Sequence, residues 1–423
     1  MKIMWVVNIR LPIISRKRNE KNTSNIGGWL DRISEGLLIG NELMVCYPFS
    51  HAEDGIIDNL HYKGMPYDAK KMRLGSLDDR TGVLEARSIM EKFRPDIIHI
   101  HGTEFQYHWF FAEAAKEIGL QNRLIVSIQG LVGVYALHQK VNLPYSVVHS
   151  CTLRELIGKK NISSGIKQYY RRGSYENKTI KLTTNIMGRT TWDRACTYRI
   201  NPHAEYHIGN ETLREEFYYG NWDKDKCVKN RIFISQASYP VKGFHIFIEA
   251  LRDIKKFYSD VTVHVAGADL SKSNPINGSS YALYIMKKLR EYDLISCVHF
   301  CGNLTSQQMK EEMLQANVFV SPSTIENSPN SVGEAMLLGV PIVSSNVGGV
   351  SDLLVDKKEG YLYQSDAPYM LAYYVMQVLD DSKNAAVIGQ NAREHAKITH
   401  SYENNLATLI DLYKKLSSDK YDD

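Results

Sequence analysis

Short, nearly continuous apolar runs alternate with amphipathic helical patterns along most of this chain, and this alternation limits its fold most strongly. The first run, at 3–9, precedes a segment in which Leu30, Ile33 and Leu37 keep helical spacing. Further runs of the same kind lie at 41–48, 94–102 and 122–130. Strands that are apolar on both faces are typical of a parallel sheet covered by helices. The sequence therefore predicts a doubly wound α/β sheet.

The same alternation begins again after residue 220. A strand-like run opens this second series, and Phe244, Phe247, Ile248 and Leu251 then mark one face of a helix. Further predicted strands lie at 260–267, 296–302, 316–323 and 340–345, and further predicted helices near 278–292, 305–315 and 331–338. A second doubly wound domain is therefore expected.

The chain length agrees with two domains, because 423 residues exceed what one hydrophobic core usually organises. We predict a first Rossmann-like domain at 1–218, a polar linker at 219–230 and a second domain at 231–399. A further helical pattern lies at about 400–418. Ligands of such sheets bind beyond the carboxyl ends of the strands.

Composition excludes several classes of protein. Apolar residues make up 43% and charged residues 23% of the chain, as in ordinary globular proteins, and a net charge of +4 gives no reason to expect a nucleic-acid partner. The close cysteine pair, Cys297 and Cys301, matches neither a zinc ribbon nor a disulfide framework. No stretch reaches about eighteen uninterrupted apolar residues, and the N-terminus lacks a signal-peptide pattern. We therefore expect a cytoplasmic protein.

The segment at 156–182 differs from the rest of the chain in composition, because it is strongly basic and contains only one acid, Glu176. Its cations are Lys159, Lys160, Lys167, Arg171, Arg172, Lys178 and Lys181. The segment is either a surface for an anionic membrane or substrate, or a solvated helix face. In the first case the protein would lie peripherally on the inner face of the cytoplasmic membrane.

Two acids, Glu326 and Glu334, are the strongest candidates for chemistry. They could be a catalytic pair, a ligand clamp or a helix cap. Ser331 and Glu334 have the spacing of a capping box, with Gly339 as the helix C-terminus. Glu326 follows the predicted strand at 316–323, so it is expected at the ligand edge of the sheet. Between the two acids, a helix N-terminus offers unpaired N–H groups that attract phosphate.

Other candidates follow strand ends elsewhere in the chain. Lys242 stands between a strand end and a helix start, where it is either an ordinary surface lysine or a counter-charge for a diphosphate. Gly27 and Gly28 follow the first strand and allow a ligand to approach the backbone closely. Each signal alone is weak.

In order and spacing, these segments resemble the retaining glycosyltransferases of family 4, which have the GT-B fold of two Rossmann-like domains facing a central cleft. The segment at 321–354 is similar to the E-x7-E element of that family, with Glu326 and Glu334 at its acidic positions. The segments "RPDIIHIHG", "YPVKG" and "VHVAG" occur in the family's order. "SIQG" and "GRTTWDRA" resemble the branch that builds bacterial surface polysaccharides.

The resemblance implies a role for each candidate. Glu334 would bind the ribose of a nucleotide, Glu326 would contact the donor sugar near the reacting centre, and Lys242 would hold the diphosphate. Backbone N–H groups at the helix start would assist at three positions, Asn330, Ser331 and Val332. On the first domain, Gly27 and Gly28 would face the diphosphate, and the final helix, at about 400–418, would pack back on that domain. His101, a third expected catalytic residue beside Glu326 and Lys242, would line the sugar and acceptor site.

One position departs from the family pattern. An arginine often stands six residues before the lysine, and here that position is Gln236, which can donate hydrogen bonds but cannot balance charge. Either Lys242 and the helix end suffice for the diphosphate, or another cation such as Arg16 or Arg18 substitutes.

The expected reaction is sugar transfer with retained configuration from a nucleotide-diphosphate sugar, UDP first and GDP second, to a saccharide or lipid-linked oligosaccharide. No D-x-D pair lies at a predicted strand end, so no metal ligand and no cofactor are expected. Two alternatives remain at this point. Glu326 and Glu334 could serve a glycoside hydrolase or phosphorylase-like enzyme, or the chain could bind a nucleotide sugar without turnover.

Overall fold

A computed structural model describes residues 1–20 and 28–418 of the chain. The chain forms two compact units. The first comprises Met1–Val134, Gln168–Thr212 and the segment from His400 onward, and the second comprises Tyr135–Lys167 and Leu213–Thr399. Each unit contains one sheet with hydrophobic cores on both of its faces. The prediction of two doubly wound, Rossmann-like α/β domains is confirmed.

The strands, numbered along the chain, are β1 (Lys2–Val6), β2 (Glu42–Pro48), β3 (Glu53–Ile57), β4 (Leu60–Met65), β5 (Ile97–His101), β6 (Leu124–Ser127), β7 (Asn185–Gly188), β8 (Glu205–Ile208), β9 (Arg231–Ile234), β10 (Thr262–Ala266), β11 (Val298–Gly302), β12 (Val318–Ser321), β13 (Ile342–Ser345) and β14 (Tyr361–Tyr363). The order in the first sheet is β3-β4-β2-β1-β5-β6-β7-β8, and in the second it is β11-β10-β9-β12-β13-β14. Among the described strands, only β3 and β4 pair antiparallel.

The helices are α1 (Pro12–Lys17), α2 (Gly28–Leu37), α3 (Ala69–Leu74), α4 (Asp79–Phe93), α5 (Gln106–Glu117), α6 (Val132–His138), α7 (Tyr145–His149), α8 (Leu153–Gly158), α9 (Ile162–Leu182), α10 (Thr191–Ile200), α11 (Phe244–Phe257), α12 (Ser280–Glu291), α13 (Ser306–Gln315), α14 (Asn330–Leu338), α15 (Val350–Leu353), α16 (Pro368–Asp380), α17 (Ser382–Thr399) and α18 (Tyr402–Ser418). Among the described residues, no helix has both the length and the apolar character needed to cross a membrane. All six cysteines are free thiols.

Strand β1 shows how the apolar runs place the core. Ile3 and Trp5 contribute to the core on one face of the first sheet, and Met4 and Val6 contribute to the core on the other. Successive side chains of a strand point to opposite faces, so an uninterrupted apolar run is buried on both. In the second sheet, Phe233 lies in a different core from its neighbours in β9 for the same reason.

The structure divides the chain differently from the predicted first domain, because residues 135–167 belong to the second unit. Glu155 accepts hydrogen bonds from the backbone N–H of Ser280 at 3.0 Å and from its hydroxyl at 3.1 Å. The Thr152 hydroxyl donates to the Gly278 carbonyl at 2.8 Å. These bonds join segments far apart in the sequence, which local patterns do not predict.

The segment predicted as a linker, 219–230, also lies within the second unit, which begins at Leu213. Trp222 is buried, and its indole N–H donates to the Ala316 carbonyl at 2.8 Å. Its backbone N–H donates to the Leu338 carbonyl, also at 2.8 Å. A large aromatic ring in a polar segment thus fixes the segment to the sheet that follows.

Helix α18, which the family resemblance implies would pack back on the first domain, lies in the first unit. Its Tyr413 hydroxyl accepts a hydrogen bond from the Trp5 indole at 2.9 Å and lies 2.5 Å from Nδ1 of His99. The Tyr413 ring is fully buried in the core beneath the sheet. The end of the chain therefore completes the core that β1 begins.

In the basic segment at 156–182, the single acid, Glu176, is buried in the first unit. Its carboxyl oxygens accept hydrogen bonds from the backbone N–H of Val132 at 2.9 Å, that of Gly133 at 3.0 Å and the Thr103 hydroxyl at 3.0 Å. Burial raises the pKa of Glu176 to about 8, although these donors favour the carboxylate. The face of α9 that carries Glu176 is therefore packed, whereas six of the seven cations of the segment, all except the buried Arg172, are exposed.

We expect the free energy of unfolding to fall as the pH rises from about 4.5 towards 8. In this range the folded protein keeps the proton on Glu176, whereas the unfolded chain releases it. The folded state thus binds more protons, and each rise in pH favours unfolding. Urea unfolding at several pH values, compared with Glu176→Gln, measures this slope. The variant is expected to have a flatter profile, and exposed Glu117→Gln serves as the control; identical slopes in all three proteins would contradict the prediction.

Candidate active site

Lys242 is held in the second unit by a turn that follows strand β9. Pro240–Lys242 form a single 3-10 turn, and Gly243 then starts α11 with φ of 66°. A Cβ atom on Gly243 would lie 1.7 Å from the Pro322 carbonyl oxygen, so glycine is required there. This close approach places the lysine beside the segment that leaves β12.

Glu326 lies in that segment and pairs with the lysine. The Lys242 ammonium donates to Oε1 of Glu326 at 2.5 Å, and the Ser323 hydroxyl donates to the same oxygen at 2.7 Å. Glu326 is only 8% exposed. The Gly349 N–H fixes the backbone of Glu326 by donating to its carbonyl oxygen at 3.1 Å. The structure thus brings two of the predicted catalytic residues into direct contact at the carboxyl edge of the second sheet.

The predicted capping box is wrong. Helix α14 begins at Asn330 with Pro329 at its N-cap position, and no side chain caps it. Glu334 lies one turn inside the helix, where its side chain cannot reach back to the start. Proline has no side-chain acceptor, so the residue at the N-cap position cannot form the hydrogen bond of a capping box. The predicted C-terminus is confirmed, since Gly339 ends the helix with φ of 75°.

Glu334 is instead held by a cation that the sequence analysis did not select, Arg214. The guanidinium Nε lies 2.6 Å from Oε1 of Glu334, and Nη2 lies 2.7 Å from Oε2. Burial raises the pKa of Glu334, and Arg214 opposes that rise by stabilising the carboxylate. Arg214 also lies over the Phe217 ring, 4.7 Å from its centroid. A two-pronged ion pair of this kind fixes the orientation of the carboxylate.

Two of the three backbone N–H groups that we predict to attract an anion at the start of α14 are available for this role. The Val332 N–H donates to the Pro329 carbonyl at 2.9 Å, so it is already used within the turn. Asn330 and Ser331 are the first two residues of the helix, and amides at these positions have no acceptor in a preceding helical turn. They lie close in sequence to Glu326, at the end of the helix that favours negative charge.

Gln236 occupies the position of the missing arginine, and its side chain stabilises the loop. Its Oε1 accepts hydrogen bonds from the N–H groups of Ala237 and Ser238, both at 3.0 Å, and from the Ser238 hydroxyl at 2.7 Å. Its amide also packs against Gly267, where a Cβ would lie 2.5 Å from Oε1. The Gln236 carbonyl oxygen is therefore committed to loop structure, which leaves Nε2 as the donor for a ligand.

His101 ends strand β5 in the first unit, where it is buried. Its ring stacks on His99 at 3.9 Å between centroids and meets Trp5 edge-on at 4.5 Å. Burial, with His99 and His108 adding to it, holds the pKa of His101 well below its ordinary value. The ring is thus neutral at pH 7, and it can accept or donate a hydrogen bond without carrying charge.

A small cavity within the first unit borders this histidine. The side chains that line it include Trp29, His101, Gln129, Arg189, Glu211 and Thr212. In the described part of the chain, neither Nε2 of His101 nor Nε1 of Trp29 has a hydrogen-bond partner. Buried polar atoms normally have partners, so these two atoms mark a place for a polar ligand or water.

The remaining predicted residues of the first unit are less informative. Gly28 is the first residue of α2, and Gly27 lies outside the described residues. Arg16 pairs with Asp31 and Glu35, and Arg18 pairs with Glu20 and Glu53, so both guanidinium groups are engaged within their own unit.

The second unit thus gathers a lysine, two acids held by cations, and a helix N-terminus, which suit a ligand with a phosphate and several hydroxyls. A match to known proteins covers this same region. Residues 223–395 match the family model for Glycosyl transferases group 1. The group 1 match includes Gln236, Lys242, Glu326 and Glu334, and it supports a glycosyltransferase.

One relative with a named activity is D-inositol 3-phosphate glycosyltransferase of Corynebacterium urealyticum, 25% identical over 177 residues, which are 42% of this chain and 41% of that protein. The chain spans less than half the length of the curated relatives it matches first. The sequence likeness is therefore concentrated in one part of each protein.

Solved structures resemble the chain over nearly its whole length. Sucrose-phosphate synthase from Thermosynechococcus elongatus has a TM-score of 0.73 at 15% identity, covering 99% of both chains. HepE of Anabaena, in complex with UDP and glucose, has a TM-score of 0.67 at 16% identity, covering 98% of this chain and 99% of that one. At such identities the likeness shows the fold, and it confirms the predicted GT-B fold class.

The sequence analysis missed three polar residues at these sites. Arg214 carries no signal, because it stands among acids in a segment without periodicity. Ser323 lies three residues before Glu326, a spacing at which a hydroxyl in a turn often reaches a carboxylate. Arg189, in the segment "GRTTWDRA", pairs with Glu211 at 2.9 Å beside His101, and nothing in the local sequence indicates this role.

Proposed function

We propose that this protein is a retaining glycosyltransferase of family 4 that transfers a sugar from a nucleotide-diphosphate sugar. The observation that carries the proposal is the contact of Lys242 with Glu326, four residues before α14 begins at Asn330. A cation and unpaired amides attract a diphosphate, and a neighbouring carboxylate suits the sugar attached to it. The group 1 match covers these residues.

In this proposal Glu334 binds the ribose hydroxyls. A carboxylate has about four lone-pair positions, and the two bonds from Arg214 leave acceptor capacity for two hydroxyl donors. The ion pair holds Glu334 in one orientation before the nucleotide arrives. To become protonated, Glu334 would lose one of the two hydrogen bonds that it accepts from Arg214, so it is poorly suited to act as the acid of a hydrolase.

Lys242 holds the diphosphate with the amides of Asn330 and Ser331, and Gln236 Nε2 adds a neutral donor. An ammonium has three N–H donors, so its contact with Glu326 does not exclude a contact with a phosphate oxygen. As the sugar–phosphate bond breaks, positive charge grows on the anomeric carbon and negative charge on the departing diphosphate. Glu326 stabilises the first, and Lys242 and the helix N-terminus stabilise the second.

Retention then follows from attack by the acceptor hydroxyl on the face that the diphosphate leaves, with a phosphate oxygen accepting the hydroxyl proton. No divalent metal takes part, because the lysine and the helix end supply the positive charge. His101 is proposed to line the sugar and acceptor site as a neutral hydrogen-bonding group.

We propose UDP as the nucleotide, with GDP second. HepE of Anabaena, which shares the fold, was solved with UDP. A saccharide or lipid-linked oligosaccharide is the proposed acceptor, in assembly of a surface polysaccharide such as capsule, O-antigen or exopolysaccharide. The basic segment at 156–182 would then contact the inner face of the cytoplasmic membrane peripherally.

The test is thermal stabilisation of the purified protein by UDP, GDP and ADP and their common sugars, each with and without EDTA. We expect one nucleotide family to raise the Tm, and EDTA to leave that rise unchanged. Lys242→Ala is expected to weaken binding by about 2 kcal/mol, or about thirtyfold, through loss of a charge-assisted contact.

Exposed Lys287→Ala is the matched control, and it should bind as the unchanged protein does. Stabilisation by no nucleotide would contradict a nucleotide-sugar donor. Stabilisation that EDTA abolishes would contradict metal independence, and unchanged affinity in Lys242→Ala would remove that residue from the diphosphate site.

A further inference from the structure

Three metal-ligating side chains of the second unit lie together, outside the elements that hold Lys242 and Glu326. Nδ1 of His264 is 2.7 Å from Oε2 of Glu312. The three groups that meet are the His264 imidazole, the Cys301 thiol and the Glu312 carboxylate, and their ligand atoms all lie within 4.8 Å of one another. Each residue is partly exposed, so an ion in solution can reach them.

The fold explains why these residues meet. His264 lies in β10 and Cys301 in β11, the neighbouring edge strand, while Glu312 comes from α13, which follows β11. The pairing of β10 and β11 is irregular between Val265 and Ala266, so the register moves one residue along β11 at Cys301. Such a bulge re-aims a side chain. Neither the C-x3-C spacing nor any local motif indicates this cluster.

We propose that His264, Cys301 and Glu312 bind a zinc ion. One imidazole nitrogen, one thiolate and one carboxylate form a donor set typical of Zn²⁺, whose ligand atoms lie about 2.0–2.3 Å from the metal. Ligand atoms within 4.8 Å of one another can converge on one ion after small rotamer changes. A tetrahedral site needs a fourth ligand, supplied by water or by His299, whose ring centroid is 5.3 Å from that of His264.

The surrounding charges are compatible with a cation. The Glu312 carboxylate, 2.7 Å from Nδ1 of His264, supplies one negative charge. A metal ion would bind the neutral imidazole and would displace the proton of the Cys301 thiol, which then supplies a second negative charge. Arg231 is a nearby positive charge that opposes a bound cation, and it acts electrostatically on both His264 and Glu312. Its guanidinium is already used, because it donates a hydrogen bond to Oε1 of Gln315 at 2.7 Å.

The consequence is a structural link. A zinc ion would tie edge strand β11 to β10 and to α13 at a point where the strand pairing is irregular. The site shares no residue with the proposed donor site, so it does not alter the proposal of metal-independent transfer. We therefore expect the metal to change stability and not the chemical step.

The test uses the full-length protein, stripped with EDTA and kept reduced, and titrated with Co²⁺ as a spectroscopic substitute for zinc. We expect a thiolate-to-cobalt charge-transfer band that saturates at one ion per chain and disappears when Zn²⁺ is added. Zn²⁺ alone should raise the Tm by about 3 °C or more when it is in large excess over its dissociation constant.

Cys301→Ser should lose the band, while Cys227→Ser, which changes another half-buried thiol, should keep it. Glu312→Gln should still give the band, but its affinity for cobalt should fall about tenfold or more. Even a residue that only hydrogen-bonds to a metal ligand contributes that much to metal affinity. The Tm of each variant in EDTA shows whether it folds. If Cys301→Ser does not fold, Glu312→Gln decides the question. No band in the unchanged protein, a band that survives Cys301→Ser, or unchanged affinity in Glu312→Gln overturns the proposal.

Discussion

Replacing Arg214 by methionine is expected to lower the free energy of unfolding of the second unit by about 3–5 kcal/mol. The substitution leaves the Glu334 carboxylate without its cation, in a position where the residue is only 3% exposed. Both oxygens of that carboxylate lose a charge-assisted hydrogen bond. Urea unfolding at neutral pH, followed by a signal from the second unit, measures the effect.

Matched variants separate the cost of the unpaired charge from the loss of packing by the arginine side chain. Glu334→Gln removes the charge and keeps the shape, so Arg214→Met combined with Glu334→Gln should be more stable than Arg214→Met alone. The coupling energy from this double-mutant cycle then reports the ion pair. A loss below about 1 kcal/mol in Arg214→Met would mean that water reaches Glu334 easily.

The same arginine variant also tests the ribose role proposed for Glu334. If Arg214 orients this carboxylate for the nucleotide, Arg214→Met should lower the affinity for the nucleotide that stabilises the unchanged protein. Binding that is unaffected under conditions where the variant is folded would place the ribose elsewhere.

Glu326→Gln is expected to reduce kcat for sugar transfer by about a hundredfold while leaving donor affinity unchanged or stronger. The amide keeps the size of the side chain and can still accept from the Ser323 hydroxyl, but it removes the negative charge. That charge is needed only as positive charge develops on the anomeric carbon. Lys242 also loses its anionic partner, so it is more available to the diphosphate.

Steady-state kinetics with the donor identified by thermal stabilisation, together with direct binding of that donor, separate these effects. Glu359→Gln is the control, because Glu359 is also a buried acid of the second unit, and it accepts hydrogen bonds from Val355 and His395. It should leave kcat unchanged. Normal transfer by Glu326→Gln would show that the contact with Lys242 is structural.

Much of the fold could be predicted because strands and helices are encoded by patterns within one segment. The apolar run at 94–102 contains β5, and the spaced apolar residues from Phe244 onward form α11. The position after a parallel strand places Glu326 at a ligand edge, and its contact with Lys242 follows because the carboxyl ends of neighbouring strands meet.

Local patterns failed where a distant segment competes for the same group. Ser331 and Glu334 have the spacing of a capping box, but Pro329 starts the helix and Arg214 takes the carboxylate. Residues 135–167 lie within the predicted first domain, which ends at 218, yet they belong to the second unit. There Glu155 accepts a hydrogen bond from Ser280, which is far away in the sequence.

The sequence by itself therefore determined the two α/β domains and the acids and lysine at the strand ends, since periodicity and chain order carry that information. Only the tertiary structure decided which cation holds Glu334, how His101 is kept neutral and which residues gather around His264. Each of these depends on contacts between segments far apart in the chain, and burial adds to the first two because it removes water as an alternative partner.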